Sequence, residues 1–194
     1  MTKTRDSSAP ASGRERILAA AVARFSRQSY DQTGLREIAA DAGVDVAYVH
    51  RAFGSKEQLF HEALKCAVQM DKIFDALGAD QARMLAARLL DEDDADAEVR
   101  PMDILIRSLT SPKAAAVLRT AVMEEFVTPL SAHLDTNATQ RAALAAALLM
   151  GVGILRDVLE LPALSEGPGG ALERSVAETL ALVLGQTNSE IQSR

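Results

Sequence analysis

Residues Gly34–Leu59 read GLREIAADAGVDVAYVHRAFGSKEQL. Leu35, Ile38 and Ala39 fall on one side of a short helix that Thr33 or Gly34 can cap. Ala42-Gly43-Val44 follows, and a glycine directly after a helix supplies the left-handed residue that ends it. Asp45 is then an N-cap for a second short helix through Phe53. Gly54 stops that helix. Ser55, with Gln58 three residues on, makes a capping box for a longer one. Two short helices joined by a tight glycine turn form a helix-turn-helix. Ile38, Val44, Val49 and Phe53 are placed to pack the steep crossing. That packing would hold the N-terminal residues of the second helix outward, where they can reach base edges in a major groove.

Helices extend in both directions from this stretch. Upstream, Ile17, Leu18, Ala21, Val22 and Phe25 recur at three- and four-residue spacings and predict a helix over about Arg14–Ser29. Downstream, the pattern predicts a long fourth helix to Gly78 and a fifth over about Asp80–Leu90. A sixth starts at Pro101 and a seventh at Ser111-Pro112, with Pro129 kinking it. An eighth opens at Thr136 or Asn137 and runs to about Leu161, and a ninth follows Gly167-Pro168-Gly169-Gly170 and ends near Gly185. The composition agrees: 48% of the 194 residues are apolar and 4% aromatic, without the β-branched runs of strands. The expected fold is all-α, with a three-helix helix-turn-helix head, a helical body and about nine helices. Residues 13–58 form the head and 59–187 the body, with a disordered arm over 1–12 and a frayed tail over 188–194.

The ordered set Ile17, Leu18, Ala21, Phe25, Tyr30, Thr33, Ile38, Ala39, Ala42, Gly43, Val44, Phe53, Ser55, Lys56, Glu57 and Leu59 strongly resembles the DNA-binding head of the TetR family of bacterial regulators. The resemblance implies a homodimer on a palindromic double-stranded DNA operator. Thr33 would contact phosphate at the start of the second helix. Asp45, Val46, Ala47 and Tyr48 would face the groove. His50 stands where the family usually has a phosphate-binding tyrosine. Lys56 would hold backbone phosphate, aided by the positive end of the fourth helix. Gly34, Arg36 and Arg51 complete the expected contact set. Gly34, Val46 and Ser29 depart from the family's usual residues, and Val46 can offer a base only an apolar contact.

Charge fits contact with DNA at one end only. Residues 1–57 carry nine Lys/Arg and seven Asp/Glu, whereas the remainder carries 12 and 20. The single cysteine, Cys66, excludes an intramolecular disulfide and suits a reducing cytoplasm. The N-terminus lacks the apolar core of a signal peptide. The apolar stretch 142–155 is too short for a bilayer and predicts a buried helix, so no membrane partner is expected. The acidic run 91–96 lacks the glycine turn and spaced ligands of a calcium loop. No metal, cofactor or catalytic constellation is expected, and an enzyme is disfavoured.

For the body, the resemblance implies a pocket for a small hydrophobic effector and a dimer interface made by the last two long helices. Inner residues Cys66, Met70, Phe74, Met102, Ile106, Met123, Phe126 and Met150 are candidates for the pocket. Leu144, Leu148, Gly151, Leu155, Leu172, Val176, Leu180 and Val183 are candidates for the interface. Effector binding would change the spacing of the two heads and release the operator, as a repressor does. An activator, a ligand-independent regulator and a helical adaptor without specific DNA binding remain open at this point.

Overall fold

The computed structural model describes residues 12–68, 80–91 and 101–186, which are all helix and connecting turns, with no strand among them. Helix α1 spans Gly13–Arg27. Ser12 and Glu15 close a capping box at its start, and Arg24 and Arg27 sit in its last turn, where the helix dipole favours cations. Helices α2, Leu35–Asp41, and α3, Val46–Phe53, follow. Helix α4 runs over Lys56–Val68.

The first core lies between these four helices. Ile17, Ala21 and Phe25 of α1 meet Ile38 of α2, Val49 and Phe53 of α3, and Leu59, Phe60 and Ala63 of α4. Phe60 is edge-on to both Phe25 and Tyr30, at 4.8 and 5.1 Å between ring centroids, an arrangement that aromatic quadrupoles favour. This core does not stop at residue 58. Ile104 from α6, Pro101–Ser108, and Ala114 and Leu118 from α7, Pro112–Val122, are buried in it as well.

The second core belongs to the body. Ala82, Leu85 and Ala86 of α5, Gln81–Leu89, pack with Ala142, Ala145 and Ala146 of α8, Ala138–Gly153, and with Val176, Leu180 and Leu184 of α9, Ala171–Leu184. Gln186 ties the end of α9 to the start of α5, accepting from the Ala82 amide at 3.2 Å. Glu166 accepts from the Ala171 and Leu172 amides and caps α9 from the preceding loop. Those bonds hold its carboxyl below the usual range.

Two irregular turns matter. The axis of α7 continues through a π-helical turn, Met123–Val127, and a last α turn, Thr128–Ser131. Pro129 has no N–H to donate and its ring would clash with the carbonyl four residues back, so the backbone widens ahead of it. The expected kink is therefore a π turn. Helix α8 likewise continues through a π turn, Ile154–Val158. The continuous helix is 21 residues, Ala138–Val158, close to the span expected from sequence and longer than its apolar stretch 142–155. Among the described residues it is the one helix long and apolar enough to cross a membrane by length and composition alone. Only about a fifth (22%) of its most apolar window is fully buried within the protomer, and Leu144 and Leu155 are exposed on it.

Candidate nucleic-acid interface and body cavity

The helix-turn-helix is braced from behind by α1. Gly43 adopts a left-handed φ of 64°, and the Val44 amide donates back to Ala39 at 3.0 Å, closing the turn. Arg16 Nε donates to the Ala42 carbonyl at 3.1 Å. Arg24 makes a two-point pair with Asp41 at the end of α2 and holds that carboxyl below its usual range. Arg14 lies over the Phe53 ring, 4.2 Å from its centroid, and donates to the Ala52 carbonyl at the end of α3. Three of the head's basic residues thus orient the two short helices. The sequence placed all three on α1 but carried no signal for their partners.

The outward side of α3 begins at Asp45, whose carboxylate accepts from the Ala47 amide at 2.7 Å. Asp45, Ala47, Tyr48, His50 and Arg51 are exposed, as is Arg36 on α2. The Arg51 guanidinium lies 5.7 Å from the Tyr48 ring centroid. Val46 is half-buried and packs partly against the first core. A groove runs between the start of α2, the face of α3 and the start of α4, and it brings Gly34, Arg36, Val46, His50 and Lys56 together. Asp31 and Glu37 share it.

Thr33 differs from its expected role. It is 1% exposed, and its hydroxyl donates to the Ser29 carbonyl at 3.1 Å, so it shapes the loop before α2. The Gly34 amide is also occupied, donating to the Glu37 carboxylate at 2.7 Å. Lys56 is held more tightly than its exposed neighbours. Its ammonium sits 4.2 Å from the centroid of the Tyr30 ring. Partial burial lowers its pKa, while Asp31 and Glu57 pull in the other direction. Burial, with the Glu57 carboxylate adding to it, keeps the Tyr30 phenol protonated far above its usual range.

The body holds a cavity of about 440 Å³ among α4 to α8, within the range of small-ligand sites. Met102, Phe126 and Met150 line it, as expected, along with Val68, Leu85, Leu89 and Leu149. Arg88, Arg156 and Asp157 give it a polar side that sequence reasoning did not find. Arg156 is fixed there by the Leu89 carbonyl at 3.1 Å and by Asp157 at 3.6 Å. Cys66 is not a lining residue. Ala63, Leu64 and Ala67 turn toward the core and leave Cys66 exposed. Ile106 and Met123 do not line the cavity either. The π turn directs Phe126 and Val127 inward and leaves Met123 out. Met70 and Phe74 lie outside the described residues.

The apolar face of α8 is open at Leu144, 53% exposed, and at Leu155 beyond it, 40% exposed. Leu148 and Gly151 lie between them, half-buried. On α9 the expected stripe divides in two. Val176 and Leu180 point into the protomer's own second core, where Leu180 has no exposed surface. Leu172 and Val183 are half-buried at its edge, and Leu182, 79% exposed, points away. A helix with apolar residues on both sides gives one stripe to its own protomer, and here α5 covers it.

Residues 17–63 match the family described as bacterial regulatory proteins, tetR family. Residues 79–184 match the tetracyclin repressor-like C-terminal domain. No curated protein matches the chain. Among solved structures, a transcriptional regulator of Rhodococcus sp. Rha1 is 25% identical, with a TM-score of 0.61 over 90% of this chain and 97% of the other. GusR of Salmonella enterica is 17% identical, with a TM-score of 0.68 over 93% and 100%. The multidrug binding protein EbrR, solved with proflavin, is 20% identical, with a TM-score of 0.56 over 89% and 99%. Members of the matched family are DNA-binding regulators rather than enzymes; they bind small-molecule effectors and act as dimers. The head and most of the body fall within the two family matches, and the chain belongs to the TetR family of transcriptional regulators.

Proposed function

We propose that this regulator is a ligand-responsive repressor that grips a palindromic operator as a homodimer. The observation that carries this reading is the shared first core: Ile104 and Leu118, from the body, are packed among the residues that orient α3. A displacement at the cavity wall, where Met102 lies two residues before Ile104, is thereby passed to the head. An effector that favours one arrangement of α6 shifts the population toward it, and the heads lose their match to half-site spacing.

In this reading Asp45, Ala47, Tyr48 and Arg51 face the bases, and Gly34, Arg36, His50 and Lys56 track the backbone. Val46 supplies only an apolar contact. The effector is a largely apolar molecule whose polar end meets Arg156 and Asp157. Two copies of α8 join through Leu144, Leu148, Gly151 and Leu155, with Leu182 of α9 beside them. A reducing cytoplasm is the compartment that suits such a chain.

Fluorescence anisotropy tests the reading. DNA from upstream of the chain's own gene should bind about a thousandfold more tightly than a random duplex at matched salt. Equal binding to every fragment in a genome-wide selection would overturn it.

A further inference from the structure

Ser111 is the N-cap of α7 and belongs to the body, yet its hydroxyl donates to Asp31 of the head. The Ser111 Oγ–Asp31 Oδ1 distance is 3.0 Å, and Ser111 is buried. Asp31 directly follows Tyr30, whose ring carries the Lys56 ammonium, and Asp31 and Lys56 line the same groove. Lys113, two residues past Ser111, adds a second positive charge close enough to act on Lys56. The loop before α2, the start of α4 and the start of α7 therefore converge on one lysine.

We propose that Asp31, pinned by Ser111, is a positioning residue that fixes Lys56 over Tyr30 and so presets its reach to a DNA phosphate. The proposal rests on Lys56 being a phosphate contact. A free lysine side chain must be ordered when it binds, and that entropy is charged against affinity. Here the Tyr30 face holds the ammonium, and Asp31, fixed in the same groove by the hydrogen bond from the body, draws it electrostatically without a direct ion pair. Ser111 lies three residues past Ser108, the end of α6, and the first turn of α6 borders the cavity. The pin thus attaches the phosphate contact to the part of the body that an effector touches.

A double-mutant cycle on the full chain tests this with a random-sequence duplex of about 30 base pairs at low salt, since phosphate contacts supply non-specific binding. Ser111→Gly removes the hydroxyl but keeps a residue that caps helices well. It should weaken binding about two- to tenfold, the cost of ordering one long side chain per protomer. The salt slope should stay unchanged, because Lys56 keeps its charge. Ser111→Thr, which restores a hydroxyl, should bind like the natural protein. Lys56→Ala alone should lower the salt slope by about 0.9 per protomer. In the Ser111→Gly background it should cost less affinity than it does alone, and Asp31→Asn should reduce that cost in the same way. If Lys56→Ala costs as much in all three backgrounds, the positioning role is wrong. If Ser111→Thr binds as weakly as Ser111→Gly, the hydroxyl is not the pin. If Lys56→Ala alone changes neither affinity nor slope, the phosphate contact itself fails, and the proposal with it.

Discussion

Arg24 holds Asp41 at two points, with Nη2 to Oδ1 at 2.9 Å, and so fastens the last turn of α1 to the last residue of α2. The Asp41 carboxyl titrates below its ordinary value in the folded chain because of this partner. A depressed carboxyl contributes stability above its unfolded pKa and loses it as pH falls through the folded one. The natural protein should therefore melt above Asp41→Asn at neutral pH. The gap should narrow only below about pH 4, the ordinary range of an aspartate. Thermal unfolding from pH 7 to pH 3 reads this. A gap unchanged across that range would show that the pair is not its source.

Asp45 performs two tasks that substitution can separate. Asp45→Ala removes the cap of α3 and should lower stability by about 1 kcal/mol. Asp45→Asn keeps a capping oxygen and removes one negative charge from the side of α3 proposed to face DNA. Its stability should match the natural protein, and its affinity for a random duplex should rise, with a steeper response to salt. Chemical denaturation and anisotropy on the same samples separate the two effects.

Leu180 and Leu182 lie two residues apart on α9 but face opposite ways. Leu180→Ala opens a hole in the second core and should cost about 2–5 kcal/mol. Leu182→Asp leaves that core intact and should shift the dimer toward monomer, as Leu144→Asp should on α8. Sedimentation velocity reads the assembly and thermal unfolding the fold. A lowered melting temperature in Leu182→Asp with the dimer retained would reverse this assignment.

Met150→Trp places a large rigid ring where a flexible side chain lines the cavity. Binding of a neutral apolar dye such as Nile red should weaken at least tenfold, because the indole would occupy cavity volume that the dye needs. Affinity for a random duplex should stay within about twofold, since the cavity does not contact the phosphates that supply such binding. Equal loss of both would mean that the substitution damaged the fold.

The head was legible because its signals are local. A left-handed glycine at 43, a capping aspartate at 45 and apolar spacings of three and four each act within one turn. The helix starts at Asp80 and Ser111 were readable for the same reason, whereas the capping box at Ser12 lay in a stretch read as a disordered arm. What the sequence did not carry was partner choice. The inward turn of Thr33 depends on the path of the loop from Ser29, and the exposure of Cys66 depends on where α4 finds neighbours. The division of α9 between its own core and the open side required knowing that α5 would cover Val176 and Leu180. Arg88 and Arg156 look like surface charges in one dimension and border a cavity in three.

The burial of Ile104, Ala114 and Leu118 among head residues also bears on how such regulators can be recombined. A chimaera joined at residue 58 would set a foreign head on three side chains shaped for this one, with the Ser111–Asp31 bond lost at the seam. The exchangeable cassette is larger than the DNA-reading segment: it is the first four helices together with the inward faces of α6 and α7. Specificity swaps in this scaffold should therefore succeed when the graft carries those faces along, and sensor swaps should succeed when they are left behind.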